Sequence, residues 1–386
     1  MCLIGSASYN NGQLSDPKYG HQLIGNAHIF ATVLKELRVP PKKPLPSFNH
    51  HSALVHVHES PHRQSIMNLR RAIAARIERA TGFGRERRIR FPWAADNSPV
   101  YYIVRRCLGW GEAGFFSNYL YALTHIAFAK DHGWIPVVDM QNYRTLYSEN
   151  HPVNGSSNDW NHYFLQPIDT HTAYASGRFI LSDGWNRKSD YHPIRETDDL
   201  LELIPDRAAK LRVATADYTR IRPEILTEFE TWERDNLSGK RVLGVHWRGT
   251  DKIIPPPGHR PTPPLAMLLD AIRASSDRLH PDLIFLASDE TGIRERLEEE
   301  LSIPVIAANA FRLAAGDRRG LHLAPVRRAR LNHRYLLGLE VLRDAWLLSR
   351  CDGLVHGHSN VINATLLFRD HPFTNRILVK SSLLAK

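Results

Sequence analysis

One short run concentrates reactive side chains: His246, Arg248, Thr250, Asp251 and Lys252 fall within seven positions, directly after the apolar stretch RVLGVHW (241–247). If that stretch is a buried strand, these side chains emerge where it ends, at the edge where open α/β sheets take their ligands. An arginine there makes a paired, charge-assisted contact with phosphate, and Lys252 adds a point charge. Such a set suits the stabilisation of a departing diphosphate with no metal ion. Further along the chain Asp289 closes LIFLASD (283–289), placed either to bind hydroxyls or to cap the helix that follows. Ser359 and Asn360 open the apolar run NVINATLLF (360–368), where free N–H groups and the helix dipole favour anions.

Two other clusters invite weighing. GWGEAG (109–114) has the G-x-G-x-x-G spacing of a dinucleotide fingerprint. Yet Trp110 and Glu112 would crowd a pyrophosphate, and Asp139 fits the ribose-binding position only loosely, so a nicotinamide cofactor is not expected. His50, His51, His56, His58, Glu59 and His62 lie close together, but nothing supplies further ligands at zinc-site spacing, and we expect no metal centre.

The elements that must position these residues are legible from periodicity. VYYIVRRCL (100–108), the Gly-rich loop, a helix over 115–133 and WIPVVDM (134–140) form a β–loop–α–β unit. A second series begins at residue 241: strand, helix (265–275), strand (283–289), helix (291–301), strand (304–309), helix (336–351), strand and turn (352–359), helix (360–368). This pattern predicts an α/β protein with two Rossmann-like lobes facing a cleft. The expected divisions are an N-terminal extension over 1–95, a first lobe over 96–238 and a second over 239–386. Residues 160–238 read as less regular, apart from RFILSD (178–183) and a helix over 224–236.

Composition bounds the partners. The net charge of +10 favours anionic ligands, but the basic residues are scattered in small clusters among acids. With no zinc finger, RNA-binding signature or basic helix, nucleic acid is not an expected partner. No window carries the ~20 apolar residues of a transmembrane helix, and the start lacks a signal-peptide pattern. Three scattered cysteines, Cys2, Cys107 and Cys351, fit a reducing compartment, and the cytoplasm is the expected location.

The run H-W-R-G-T-D-K (246–252) resembles the donor-lobe motif H-x-R-x-T-D-K of the α1,6-fucosyltransferases, with related motifs in rhizobial nodulation and protein O-fucosyltransferases. LIFLASDE (283–290), EVLRDAWLLSRCDGLV (340–355) and HGHSNVINA (356–364) resemble that superfamily's later motifs in the same order. The resemblance covers roughly 240–370, is looser over 100–140, and is absent before about residue 95. It implies a GT-B-like fold, and metal-free inverting transfer of fucose from GDP-fucose to a glycan or protein hydroxyl. It assigns donor binding to His246, Arg248, Lys252, Asp289, Asp344, Ser359 and Asn360. A carboxylate at Asp344, with His246, suits the N1–H and N2–H edge of guanine. The loop at Gly111 and the helix at Asn118 then face the acceptor.

In one respect the chain departs from the α1,6 pattern. Those enzymes carry a Glu a few residues after T-D-K, where this chain has Ile253, Ile254 and three prolines. The general base that deprotonates the acceptor passes to Glu112, with Asp251 and His259 next. Two alternatives stay open: another nucleotide-sugar donor on the same fold, and an inactive nucleotide-sugar or glycan-binding protein.

Overall fold

The computed structural model describes residues 87–105, 113–141, 145–182, 194, 205–250, 261–314, 317 and 330–380. Every described residue lies in one compact unit, Gly84–Lys386. The histidine cluster at 50–62, Gly111 and Glu112 of the Gly-rich loop, and Asp251, Lys252 and His259 lie outside the described residues.

A first sheet comprises β1 (Arg87–Arg90), β2 (Tyr101–Val104), β3 (Ile135–Val138) and β4 (Arg178–Leu181), in the order β1-β4-β2-β3. The last three strands run parallel, and β1 pairs antiparallel with β4 on the edge. Strand β1 falls inside the stretch expected as an extension. Its single Ile among arginines gives almost no alternation to read, and charge is what an edge strand tolerates. Helix α1 (Phe115–Asp131) follows β2, and the region read as less regular contains α2 (Asp159–Tyr163), α3 (Thr170–Ala175) and α4 (Pro205–Thr215) besides the expected helix, α5 (Pro223–Asn236).

The second sheet is wholly parallel: β5 (Val242–Trp247), β6 (Leu283–Ser288), β7 (Val305–Ile306), β8 (Gly353–His356) and β9 (Asn375–Leu378), in the order β7-β6-β5-β8-β9. Between them run α6 (Leu265–Leu279), α7 (Ile293–Glu300), α8 (His333–Arg350) and α9 (Asn360–Phe368). Every residue of β5 and β6 is buried, as expected of central parallel strands covered on both faces. Alternate residues divide accordingly. Leu243, Val245 and Trp247 pack with Leu268 and Ile272 of α6, while Val242 joins Leu342 and Ala345 of α8 in a different cluster.

That second cluster joins the two lobes. Nearly every residue of α1 is buried, because it lies between β2 and β3 on one side and α4 and α9 on the other. Phe116 and Tyr119 set their rings 6.3 and 5.7 Å from Phe368 of α9. The polar groups this burial would strand are matched locally: His125 Nδ1 lies 2.9 Å from the Tyr102 hydroxyl, and the Thr124 hydroxyl bonds the Tyr121 carbonyl at 2.8 Å. The α/β class and two-lobed arrangement read from the sequence are therefore present. No helix among the described residues is long and apolar enough to cross a membrane.

Close approach of the lobes depends on Gly338 of α8. A Cβ there would run into the Tyr163 hydroxyl and stand 3.1 Å from the Phe115 ring. Gly338→Ala is expected to lower unfolding free energy by roughly 1–3 kcal/mol, the usual cost of overpacking. A urea melt superimposable on that of the unsubstituted chain would contradict this packing.

Candidate functional site

Both sheets have a topological switch point, where one strand's neighbours connect in opposite directions: between β2 and β4 in the first, between β5 and β8 in the second. The crevice outside the carboxyl ends of such strands is where open α/β sheets bind ligands. At the second switch point lies a cleft lined by His246, Trp247 and Arg248 from the end of β5 and by Gly357 and His358 after β8. Residues 261–263 and α6 close its other side.

The chain leaving β5 loses its ladder partners and is held by the next strand. Both oxygens of Asp289 are engaged: Oδ1 accepts the Gly249 N–H at 2.9 Å and Oδ2 the Thr250 hydroxyl at 2.6 Å. Beside it, Glu290 accepts the Trp247 indole N–H at 2.8 Å and forms an ion pair with Arg296. A Cβ at residue 249 would overlap the Glu290 carboxylate, so the motif's glycine is dictated by this close approach. The Thr262 hydroxyl donates to the Arg248 carbonyl and ties the far wall to the same loop. Asp289 thus acts on the loop that carries Arg248; the helix after it has Gly292 as its N-cap.

His246 pairs in register with His356 on β8. Burial first, then the Arg248 guanidinium and His356, push its pKa down to about 3. It stays neutral at physiological pH and offers one donor and one acceptor nitrogen. Past β8 the chain turns into α9, whose N-cap Ser359 accepts the Val361 N–H at 3.2 Å. The Oδ1 atom of Asn360 is buried with no partner. These two residues start a helix one position after His358, at the rim of the cleft.

Asp344 stands apart from that cleft. It lies on α8, 7% exposed, and its Oδ1 has no partner. Desolvation raises its pKa to about 6 against the opposing pull of Arg343 and Arg312. Of the residues expected to bind donor, the structure brings His246 and Arg248 into one cleft, with Ser359 and Asn360 adjoining; Asp289 and Asp344 do not line it.

In the first lobe, Asn118 is buried on the first turn of α1. Its Nδ2 donates to the Ala113 carbonyl at 3.3 Å and its Oδ1 is unpartnered. Asp139 is fully buried and accepts the Tyr174 hydroxyl at 2.8 Å, so its carboxylate is engaged away from any ribose. Among the described residues no group of three or more His, Cys, Asp or Glu side chains could hold a metal ion. Sequence reasoning did not single out Gly357, His358 or the 261–263 wall; the turn after a parallel strand was the signal available for the first two.

The fold and site together define a two-lobed α/β protein with a ligand cleft at the carboxyl edge of its second sheet. Solved structures similar to this chain are fucosyltransferases. NodZ α-1,6-fucosyltransferase co-crystallised with GDP has a TM-score of 0.43 at 16% identity, over 71% of this chain and 93% of the other. Fucosyltransferase NodZ from Bradyrhizobium gives 0.42 at 16%, over 71% and 94%. POFUT1 in complex with GDP gives 0.43 at 13%, over 73% and 99%. No protein-family model matches the sequence, and no curated protein does. Similarity this distant leaves function to rest on the chain's own residues.

Two outcomes are expected. Asp289→Ala, which strands the Gly249 N–H and the Thr250 hydroxyl, should cost roughly 1–3 kcal/mol of stability in chemical denaturation. For Asp344, the folded pKa lies above its unfolded value, so the folded chain holds this proton more tightly. Ionisation therefore weakens the fold above pH 6, and that penalty lifts as the pH falls through 6 towards 3.8. Asp344→Asn is expected to stabilise the unliganded chain at pH 8 by up to roughly 3 kcal/mol, with the gain shrinking by pH 5. An equal effect at both pH values would rule out this origin.

Proposed function

We propose that this chain is a glycosyltransferase that moves fucose from GDP-fucose to a hydroxyl of a glycan or protein acceptor, with inversion and without a metal ion. The observation that carries this reading is the cleft at the β5–β8 switch point, where Arg248 and the turn into α9 converge. A guanidinium and a helix N-terminus on one edge are matched to a diphosphate. In this reading neutral His246 and the carboxylate of Asp344, on α8, take the guanine: an ionised carboxylate accepts both N1–H and N2–H.

The reaction in this reading is one in-line displacement. The acceptor oxygen bonds to the anomeric carbon as the bond from that carbon to the β-phosphate oxygen breaks, and GDP leaves with the electron pair. Arg248 and Lys252 balance the charge that develops on the phosphate. Glu112 takes the acceptor's proton, with Asp251 as the second choice; Gly111 and Asn118 line the acceptor side. The extension over 1–95, whose strand β1 pairs onto β4 of the first sheet, and lobe boundaries at 96–238 and 239–386 belong to the same proposal, as does a cytoplasmic location. The absent Glu after T-D-K supports a second reading, a nucleotide-sugar binder without turnover.

Calorimetry with GDP, UDP, dTDP and NAD in the presence of EDTA tests the donor site. Selective GDP binding is expected, reduced at least tenfold by Arg248→Ala, and accompanied by GDP release from GDP-fucose when acceptors are supplied. Selective binding of UDP or dTDP would retain a transferase and discard fucose. GDP binding with no turnover on any acceptor favours the binder, and full transferase activity in Arg248→Ala would sink the mechanism.

A further inference from the structure

Helix α8 begins without a cap of its own. Its N-cap residue, Asn332, is left-handed at φ 54°, and its side chain makes no capping hydrogen bond. The first N–H groups of a helix need acceptors from elsewhere. Here they come from the other lobe. Glu149 Oε1 accepts the backbone N–H groups of Arg334 at 2.7 Å and Tyr335 at 3.1 Å. An anionic acceptor at this end is also favoured by the helix dipole.

Neighbouring contacts hold the same join. The Ser148 carbonyl accepts from the Arg334 guanidinium at 3.2 Å, and His151 Nε2 lies 2.7 Å from Asn332 Oδ1. The Tyr163 hydroxyl donates to the Tyr335 carbonyl at 3.0 Å, with the two rings stacked 5.3 Å apart. Loop 145–148 is itself held by Asp159, whose Oδ2 accepts the Thr145 hydroxyl at 2.5 Å and the Ser148 hydroxyl.

The far part of this anchored helix carries Asp344, ten residues beyond Arg334 and so about 15 Å along a rigid axis. Midway, Glu340 accepts the Phe311 N–H at 3.1 Å and pairs with Arg330. It thereby fixes the segment bearing Arg312, one of the charges acting on Asp344. Asp344 therefore rides on a helix pinned at its start by Glu149 and at its middle by Glu340.

We propose that Glu149 is a positioning residue for base selection: from the first lobe it sets the axial position of α8 and thereby the placement of Asp344. This rests on the guanine reading of Asp344. Glu149 touches no nucleotide, and its effect passes through the helix.

The test compares GDP with inosine diphosphate, which lacks the N2–H, by calorimetry on the full chain. The unsubstituted protein is expected to favour GDP by about tenfold, the worth of one good hydrogen bond. Glu149→Ala should bring that ratio close to one while Glu149→Gln, which keeps an acceptor oxygen, preserves it. A variant that melts earlier but keeps the ratio would reduce Glu149 to a structural cap and overturn the proposal. If Glu149→Ala fails to fold, Glu149→Asp serves: its shorter reach should narrow the ratio, and an unchanged ratio again counts against us. An unsubstituted protein that binds GDP and inosine diphosphate equally would overturn the guanine reading, and the proposal with it. A preserved preference in the Glu149 variants overturns only the proposal.

Discussion

A buried parallel strand satisfies its backbone through its neighbours, and the first residues beyond it lose that support. At the end of β5 the deficit falls on Gly249 and Thr250, and the carboxylate of Asp289 meets it from the adjacent strand. Everything attributed to the second lobe's edge depends on this grip. It fixes the direction in which Arg248 leaves the sheet, while Glu290 and the Trp247 indole leave room for nothing larger than glycine at 249. The opposite wall is tied to the same backbone through Thr262. The cleft is therefore shaped by hydrogen bonds made around the ligand space, while the groups facing that space are few.

Those few groups have their charges arranged by burial. His246 sits beside Arg248 and His356, and desolvation with positive neighbours keeps it neutral. Asp344, buried on the α8 side, is held close to half-ionised near pH 6. The edge thus carries a guanidinium beside a neutral imidazole, with a buried carboxyl group on α8. One face of the second sheet packs on α6 and the other on α8.

Much of this architecture is legible in the sequence where the periodic signal is strong. The β5–α6–β6–α7 series and helices α1, α8 and α9 sit close to their expected bounds because apolar runs and helical stripes mark them. β1 was hidden because RRIR has one apolar residue, and β9 because NRIL is short and half-buried at an edge. Arg248 and His246 could be found because their position after a strand announces an edge. The work of Asp289 could not, since a carboxylate that holds a loop and one that binds a hydroxyl look the same in sequence. Glu149 left no signal at all: its partners, Arg334 and Tyr335, lie some 185 positions away.

Helix α1 has a consequence for how the chain is divided. It follows β2 in the first lobe, yet its far side, at Phe116 and Tyr119, is covered by Phe368 from the second. Cutting the chain between the lobes would leave each half with an aromatic face made for the other. Neither half is a portable module, and grafting the second lobe alone onto a foreign partner would require redesign of that seam first.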